Sequence, residues 1–294
     1  MIYSNKKLAK ILAVIITAGA LSGCGDPGKD KENTENQVTA KDTVDAVAEV
    51  EEELSYSLPS PLQIARIFKK SGLKYVEGLT SDQKDPSKYT SKFSKAINMG
   101  IYSADLAYNV INKQKQEALN YMKLSKQLAD DLGMGSAFAE GNILQRFEKN
   151  LSNEDSLTYI VAELQMSTDT YLEDNEQQEI SSIAFSGAWI ESLYIGSKVF
   201  EKAKDAKLSS KISEQMTIVG QIITVLEKQK AKDAAIEGLV TDLSSIKAVY
   251  DKCESVKNFT PAEEGVSEVI NLSDEEVKTL SKTIIEVRTK FVKG

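Results

Sequence analysis

The sequence predicts an all-α fold, either a multi-helix bundle or stacked helical hairpins. Apolar residues recur at three and four spacing along most of the chain, and no stretch alternates with period two for long enough to form a strand. All five prolines stand outside the predicted helices or at their starts, where a missing N–H costs nothing.

The elements follow in order. Ser60-Pro61-Leu62-Gln63 supplies a capping serine, a proline at the first helical position and a glutamine at the third, with Ile64, Ile67 and Phe68 behind it and Ser71-Gly72 as the stop. Asp85-Pro86 opens a longer segment whose wide apolar face runs from Tyr89 through Phe93, Ile97, Gly100, Ile101 and Ala104 to Tyr108. Helices are expected over 115–132, ended by Gly133 and Gly135, then over 137–151, 153–172 and 176–203, the last being the most apolar. Leu208, Ile212, Val219, Ile222 and Leu226 mark the next, and Ile236, Leu239, Val240, Leu243, Ile246 and Tyr250 the one after. Ser273-Asp274-Glu275-Glu276 is a second capping box, launching Val277, Leu280, Ile284, Val287 and Phe291.

Gly100-Ile101-Tyr102 with Leu106 and Tyr108 matches Gly187-Ala188-Trp189 with Leu193 and Tyr194 at an offset of 87 residues, which raises an internally duplicated hairpin as one form of this fold. The Trp, Gly, Tyr and Pro positions of a tetratricopeptide array are missing.

Composition excludes several functions. With 294 residues and 41% hydrophobic side chains, the chain is long enough for one large core or two ordinary ones. It contains no histidine, so Ser-His and Cys-His nucleophiles and His-based metal sites cannot be built. A formal charge of −8 opposes nucleic acid as a partner. No Walker loop, dinucleotide-binding glycine cluster, Gly-x-Ser-x-Gly elbow or EF-hand loop is present, and Asp174-Asn175-Glu176 is too short to count as one. No cofactor is therefore expected.

The N-terminus reads as an address. Lys6, Lys7 and Lys10 precede eleven uncharged residues, Ile11 to Leu21. That run is too short for a bilayer span of about 20 residues but suits an export signal. Leu21-Ser22-Gly23-Cys24 resembles the lipobox of bacterial lipoproteins, which implies cleavage before Cys24 and a lipid on its thiol. Gly25, in place of the aspartate that retains enteric lipoproteins in the inner membrane, favours the outer membrane. Loss of residues 1–23 with their three lysines leaves 271 residues, with 33 basic and 44 acidic side chains, a balance of −11. Residues 24–43 are almost devoid of apolar side chains and read as a flexible tether, leaving 44–294 as the helical domain. Cys253 then has no intramolecular disulfide partner and fits a small residue tucked into packing.

A second resemblance rests on Tyr56-Ser57-Leu58-Pro59-Ser60-Pro61-Leu62-Gln63-Ile64-Ala65, Lys69-Lys70-Ser71-Gly72-Leu73-Lys74-Tyr75, Gly100-Ile101-Tyr102-Ser103-Ala104-Asp105-Leu106, Leu128-Ala129-Asp130-Asp131-Leu132-Gly133 and Trp189-Ile190-Glu191-Ser192-Leu193-Tyr194. Over about residues 56–252 the chain is similar to uncharacterised all-helical envelope proteins of Bacteroidota. The resemblance implies an exported setting and carries over no catalytic residue.

Six residues form the candidate pocket. Glu191 has Gly187, Ala188, Tyr194 and Ile195 as its helical neighbours, so its carboxylate lies at the core edge or is paired within it. Asp105 shares a face with Asn98, Tyr102, Asn109 and Asn112, a face that reads as solvated. Tyr102, Tyr108, Trp189 and Tyr194, with Phe185, are placed to line a space between helices, although aromatics at this spacing more often fill a core. Only Arg66, Arg146 and Arg288 supply guanidinium groups; the first two sit in apolar helical patterns, and one arginine is expected to pair with Glu191 or Asp105. The expected function is a lipid-anchored helical binding or scaffold protein of the envelope, partnered by an envelope protein or small ligand. The alternative is an envelope enzyme using carboxylates and tyrosines.

Overall fold

The computed structural model describes residues 59–83, 85–229, 233–259 and 270–293, and they form an all-α domain. The expected signal segment, the expected tether and Cys24 lie outside the described residues. No strand occurs among those described, and no helix there is long and apolar enough to cross a membrane.

Helix α1, Pro61–Lys70, begins as its sequence dictates: Ser60 Oγ accepts from the Gln63 amide at 3.3 Å, and the Gln63 side chain accepts from the Ser60 amide at 2.6 Å. Asp85-Pro86 opens only a 3₁₀ turn, Pro86–Lys88, because Tyr89 returns to extended backbone. The long helix starts later, as α2, Lys92–Ile111, under a Ser91/Ser94 cap that two hydroxyls build in place of a Ser/Glu pair. After α3, Lys115–Asp131, the expected single helix over 137–151 is broken into α4, Gly135–Ala139, a 3₁₀ turn, and α5, Ile143–Lys149. The break sits at Gly141 and Asn142, both left-handed at φ 62° and 51°; glycine and asparagine tolerate that region best. Next come α6, Glu154–Asp174, and α7, Gln178–Ala203. The expected helix over 208–226 is two, α8, Ala206–Gln215, and α9, Val219–Glu227. The chain then forms α10, Ala234–Tyr250, the short α11, Glu254–Lys257, and α12, Asp274–Val292, whose Ser273/Glu276 capping box is present as predicted.

Helices α2 and α7 are the core of the domain, and each buries nearly all of its length. They run in the same direction. Lys92 at the start of α2 pairs with Glu179 at the start of α7 at 3.5 Å, and further along Asp105 lies within the electrostatic reach of Glu191. Between these points the helices touch backbone to backbone. A Cβ added to Gly100 would overlap the Ala184 carbonyl, and one added to Gly187 would overlap that of Ile97. The two glycines are 87 residues apart, as are Ile97 and Ala184, so the contact is reciprocal and the offset found in the sequence is the register of this pair. The likeness stops there. Helix α3 packs along α2 as a hairpin, whereas α7 is flanked by α8, α9 and the C-terminal α12.

Helix α12 runs antiparallel to α7, with Ser281 against Ser197 and Arg288 against Glu191. Val277, Leu280, Ile284 and Val287 are buried beneath it. Cys253 is buried and free. Its Sγ lies 3.6 Å from the Val249 carbonyl, and burial pushes its thiol up to about 11.

Candidate functional site

The parallel register brings two carboxylates together inside the domain. Asp105 of α2 and Glu191 of α7 are both 0% exposed. A single guanidinium, Arg288 of α12, faces them with its side chain 12% exposed. Its Nε donates to Glu191 Oε2 and its Nη2 donates to Oε1 at 2.8 Å, a bidentate pair. The guanidinium also stacks on Tyr194, 4.0 Å from the ring centre. The arginine that completes the core is therefore the third one. Arg146 pairs with Glu163 on a partly exposed surface, and Arg66 points outward.

Asp105 is anchored from another direction. The Ser81 amide donates to its Oδ2 at 3.1 Å, the Ser81 hydroxyl donates to the same atom, and the Ser81 carbonyl accepts from Tyr121 of α3. Asp105 Oδ1 has no hydrogen-bond partner. Two carboxylates thus share one cation in a region walled by Tyr102, whose ring lies 5.8 Å from Tyr121 and 6.4 Å from Tyr89. Burial first, and the neighbouring Glu191 second, hold the Asp105 carboxyl well above the usual carboxylate range, against the opposing pull of Ser81 and Arg288. A neutral Asp105 balances the cluster, because Glu191 and Arg288 then cancel. Burial likewise raises the Tyr102 and Tyr121 hydroxyls, and takes Tyr108 up to about 12.

The expected solvated face around Asp105 is a buried one. Asn98, Asn109 and Asn112 are buried with it, and each amide donates to the carbonyl four residues earlier at 2.8–2.9 Å. A helix that takes up its own asparagine N–H donors in this way can bury a polar-looking face, although Asn98 Oδ1 is left without a partner and Asn112 Oδ1 accepts from Lys69.

Of the six sequence-selected residues, Asp105, Glu191 and Tyr194 gather around Arg288, and Tyr102 stands near Asp105 on the side of Tyr89 and Tyr121. Tyr108 lies to one side, its hydroxyl accepting from the Val76 amide at 2.7 Å and its ring stacked on Tyr75. Trp189 is buried, its indole donating to the Gln215 carbonyl at 3.2 Å. Phe185 is half-buried against the core. Ser81 and Tyr121 are absent from the sequence-selected set, and Arg288 stands in it only as one of three candidate arginines. Arg288 had a readable signal, standing one turn beyond Ile284 on the apolar stripe of α12, whereas Ser81 lies in a loop and has none.

Two open surface grooves lie elsewhere. One is lined by Arg146, Asn150, Asp155, Ser156, Tyr159 and Ile160, the other by Pro59, Gln63, Arg66, Ile67 and Lys70. Among the described residues, no three acidic or thiol side chains gather at metal-binding spacing. In comparisons with known proteins, no family model, curated protein or solved structure matches this chain.

Proposed function

We propose that the chain is a lipid-anchored, all-helical binding or scaffold protein of a bacterial cell envelope, held at the outer membrane by Cys24. The observation that carries this reading is the N-terminal series of three lysines, eleven uncharged residues and Leu21-Ser22-Gly23-Cys24. The likeness of residues 56–252 to all-helical envelope proteins of Bacteroidota supports the same setting.

The enclosed acids support binding over catalysis. A general acid or base must come within hydrogen-bond reach of its substrate. Asp105 and Glu191 are 0% exposed, and Glu191 is already engaged by Arg288. They serve to register α2, α7 and α12, leaving the outer helical faces for a partner.

Labelling cells with palmitate in the presence and absence of globomycin tests the anchor. Label on Cys24, its loss in Cys24→Ala and accumulation of the uncut chain under globomycin are expected. An uncut, unlabelled chain in untreated cells refutes the reading. Affinity capture of the lipoprotein from its own membranes then tests the scaffold role, which predicts a stoichiometric envelope partner.

A further inference from the structure

Among the described helices of eight or more residues, α1 is the one without an acidic side chain, in a chain whose formal balance is −8. Its inner face, Leu62, Ile64, Ala65 and Phe68, is buried in the core. On its outer face Arg66 and Lys70, one turn apart, stand with Pro59, Gln63 and half-buried Ile67 around an open groove. Neither cation has an ion-pair partner among the described residues, a condition shared by Lys149 and Lys252, whereas Lys113, Lys123, Lys126, Lys198 and Lys211 each lie against a carboxylate. Lys69, beside them, is held by Asn112 Oδ1 at 2.7 Å. Lysines in a last helical turn complement the macrodipole, which accounts for Lys69 and Lys70. It does not account for Arg66, which lies a turn earlier.

We propose that this face of α1 docks the domain onto an anionic phospholipid surface. The guanidinium and ammonium groups offer donors to lipid phosphates, and their aliphatic stems with Ile67 form an apolar floor at headgroup depth. The net acidic charge of the chain is repelled by the same surface, so attraction at the acid-free α1 favours one orientation as well as a contact. The inference rests on the lipid-anchor reading for its local concentration: Pro61 lies 37 residues after Cys24, which keeps a membrane within reach of α1.

The test uses residues 24–294 carrying Cys24→Ser, so that no acyl chain contributes, and vesicles of phosphatidylcholine alone or mixed equally with phosphatidylglycerol. Co-sedimentation with the mixed vesicles, its absence with phosphatidylcholine and its loss at high salt are expected. Arg66→Gln with Lys70→Gln should weaken partitioning about thirtyfold, at roughly fivefold per cation. The charge-preserving pair Arg66→Lys with Lys70→Arg should bind as the parent does, and Lys149→Gln with Lys252→Gln should leave partitioning unchanged. An equal fall in the last pair, equal binding to both vesicle types, or retention on a polyglutamate peptide without vesicle binding would each overturn the proposal. Palmitate labelling of Cys24 reads the anchor separately, so either idea can fail alone.

Discussion

Asp105→Asn isolates the charge state of the buried cluster. In the native domain Asp105 has no solvent exposure, its Oδ2 accepts twice from Ser81, and its Oδ1 has no partner. Asparagine keeps the shape and the acceptor toward Ser81 while fixing the group in its neutral form. Because burial and Glu191 raise the folded-state pKa, the folded chain holds a proton that the unfolded chain has released. This contribution is fully present below the unfolded value, about 3.9, and is lost as pH rises from there through the folded value. Within that window the parent loses about 1.4 kcal/mol of stability per pH unit from this group, and the asparagine variant loses none of it. Each kcal/mol of that difference corresponds to roughly 2–4 °C in Tm for a domain of this size. Urea midpoints of both proteins, taken from about pH 4 upward, read the difference directly. The curves should coincide near the unfolded value and diverge upward, with the variant the more stable at neutral pH. If they run parallel, Asp105 is ionised in the core and the charge argument is wrong.

Four further outcomes follow. Arg288→Met leaves Glu191 buried and unpaired, and should cost about 3–5 kcal/mol in urea unfolding, most of it recovered in Glu191→Gln with Arg288→Met. Gly100→Ala and Gly187→Ala each drive a methyl into a neighbouring backbone carbonyl and should cost about 3 kcal/mol or more. Gly238→Ala, in α10 with open space around it, should instead stabilise by about 0.5–1 kcal/mol. Cys253, buried and with its thiol raised to about 11, should resist iodoacetamide at neutral pH until urea unfolds the chain; rapid native-state alkylation would contradict its placement.

Local chemistry was the legible part of this fold. Both capping boxes read from the sequence, Ser60/Gln63 and Ser273/Glu276, are made, because every atom involved lies within three residues. The divisions of 137–151 and 208–226 were not legible, since the periodicity of the apolar residues continues across them while the backbone turns. Glu191 could be singled out because a carboxylate among Gly187, Ala188 and Ile195 has few alternatives to a buried partner. The identity of that partner, 97 residues away on Arg288, depends on helix packing that no local pattern encodes. Asp105 was misjudged for a different reason: three asparagines made its face look wet, whereas their N–H donors are taken up by their own helix.

The offset of 87 residues explains why the two acids lie within electrostatic reach of each other. A repeated hairpin would place equivalent helices in equivalent surroundings, yet α2 is covered by α3 and α7 by α12. What the offset records is a pairing rule for two helices. Residue i of α2 pairs with residue i+87 of α7 at Lys92 and Glu179, and the backbone contacts of Gly100 with Ala184 and of Gly187 with Ile97 straddle that offset symmetrically. The same rule carries Asp105 to Ser192, adjacent to Glu191. Parallel neighbours cannot be joined by a short turn, so the 66 residues between Ile111 and Gln178 are the crossover that returns the chain to the starting end of α2. Glycine at both contacts lets the backbones approach closely enough to shut water out of the acidic end. That exclusion is what raises the Asp105 carboxyl and makes Arg288 indispensable, so the packing of two glycines and the charge state of a carboxyl one to two turns away are parts of a single constraint.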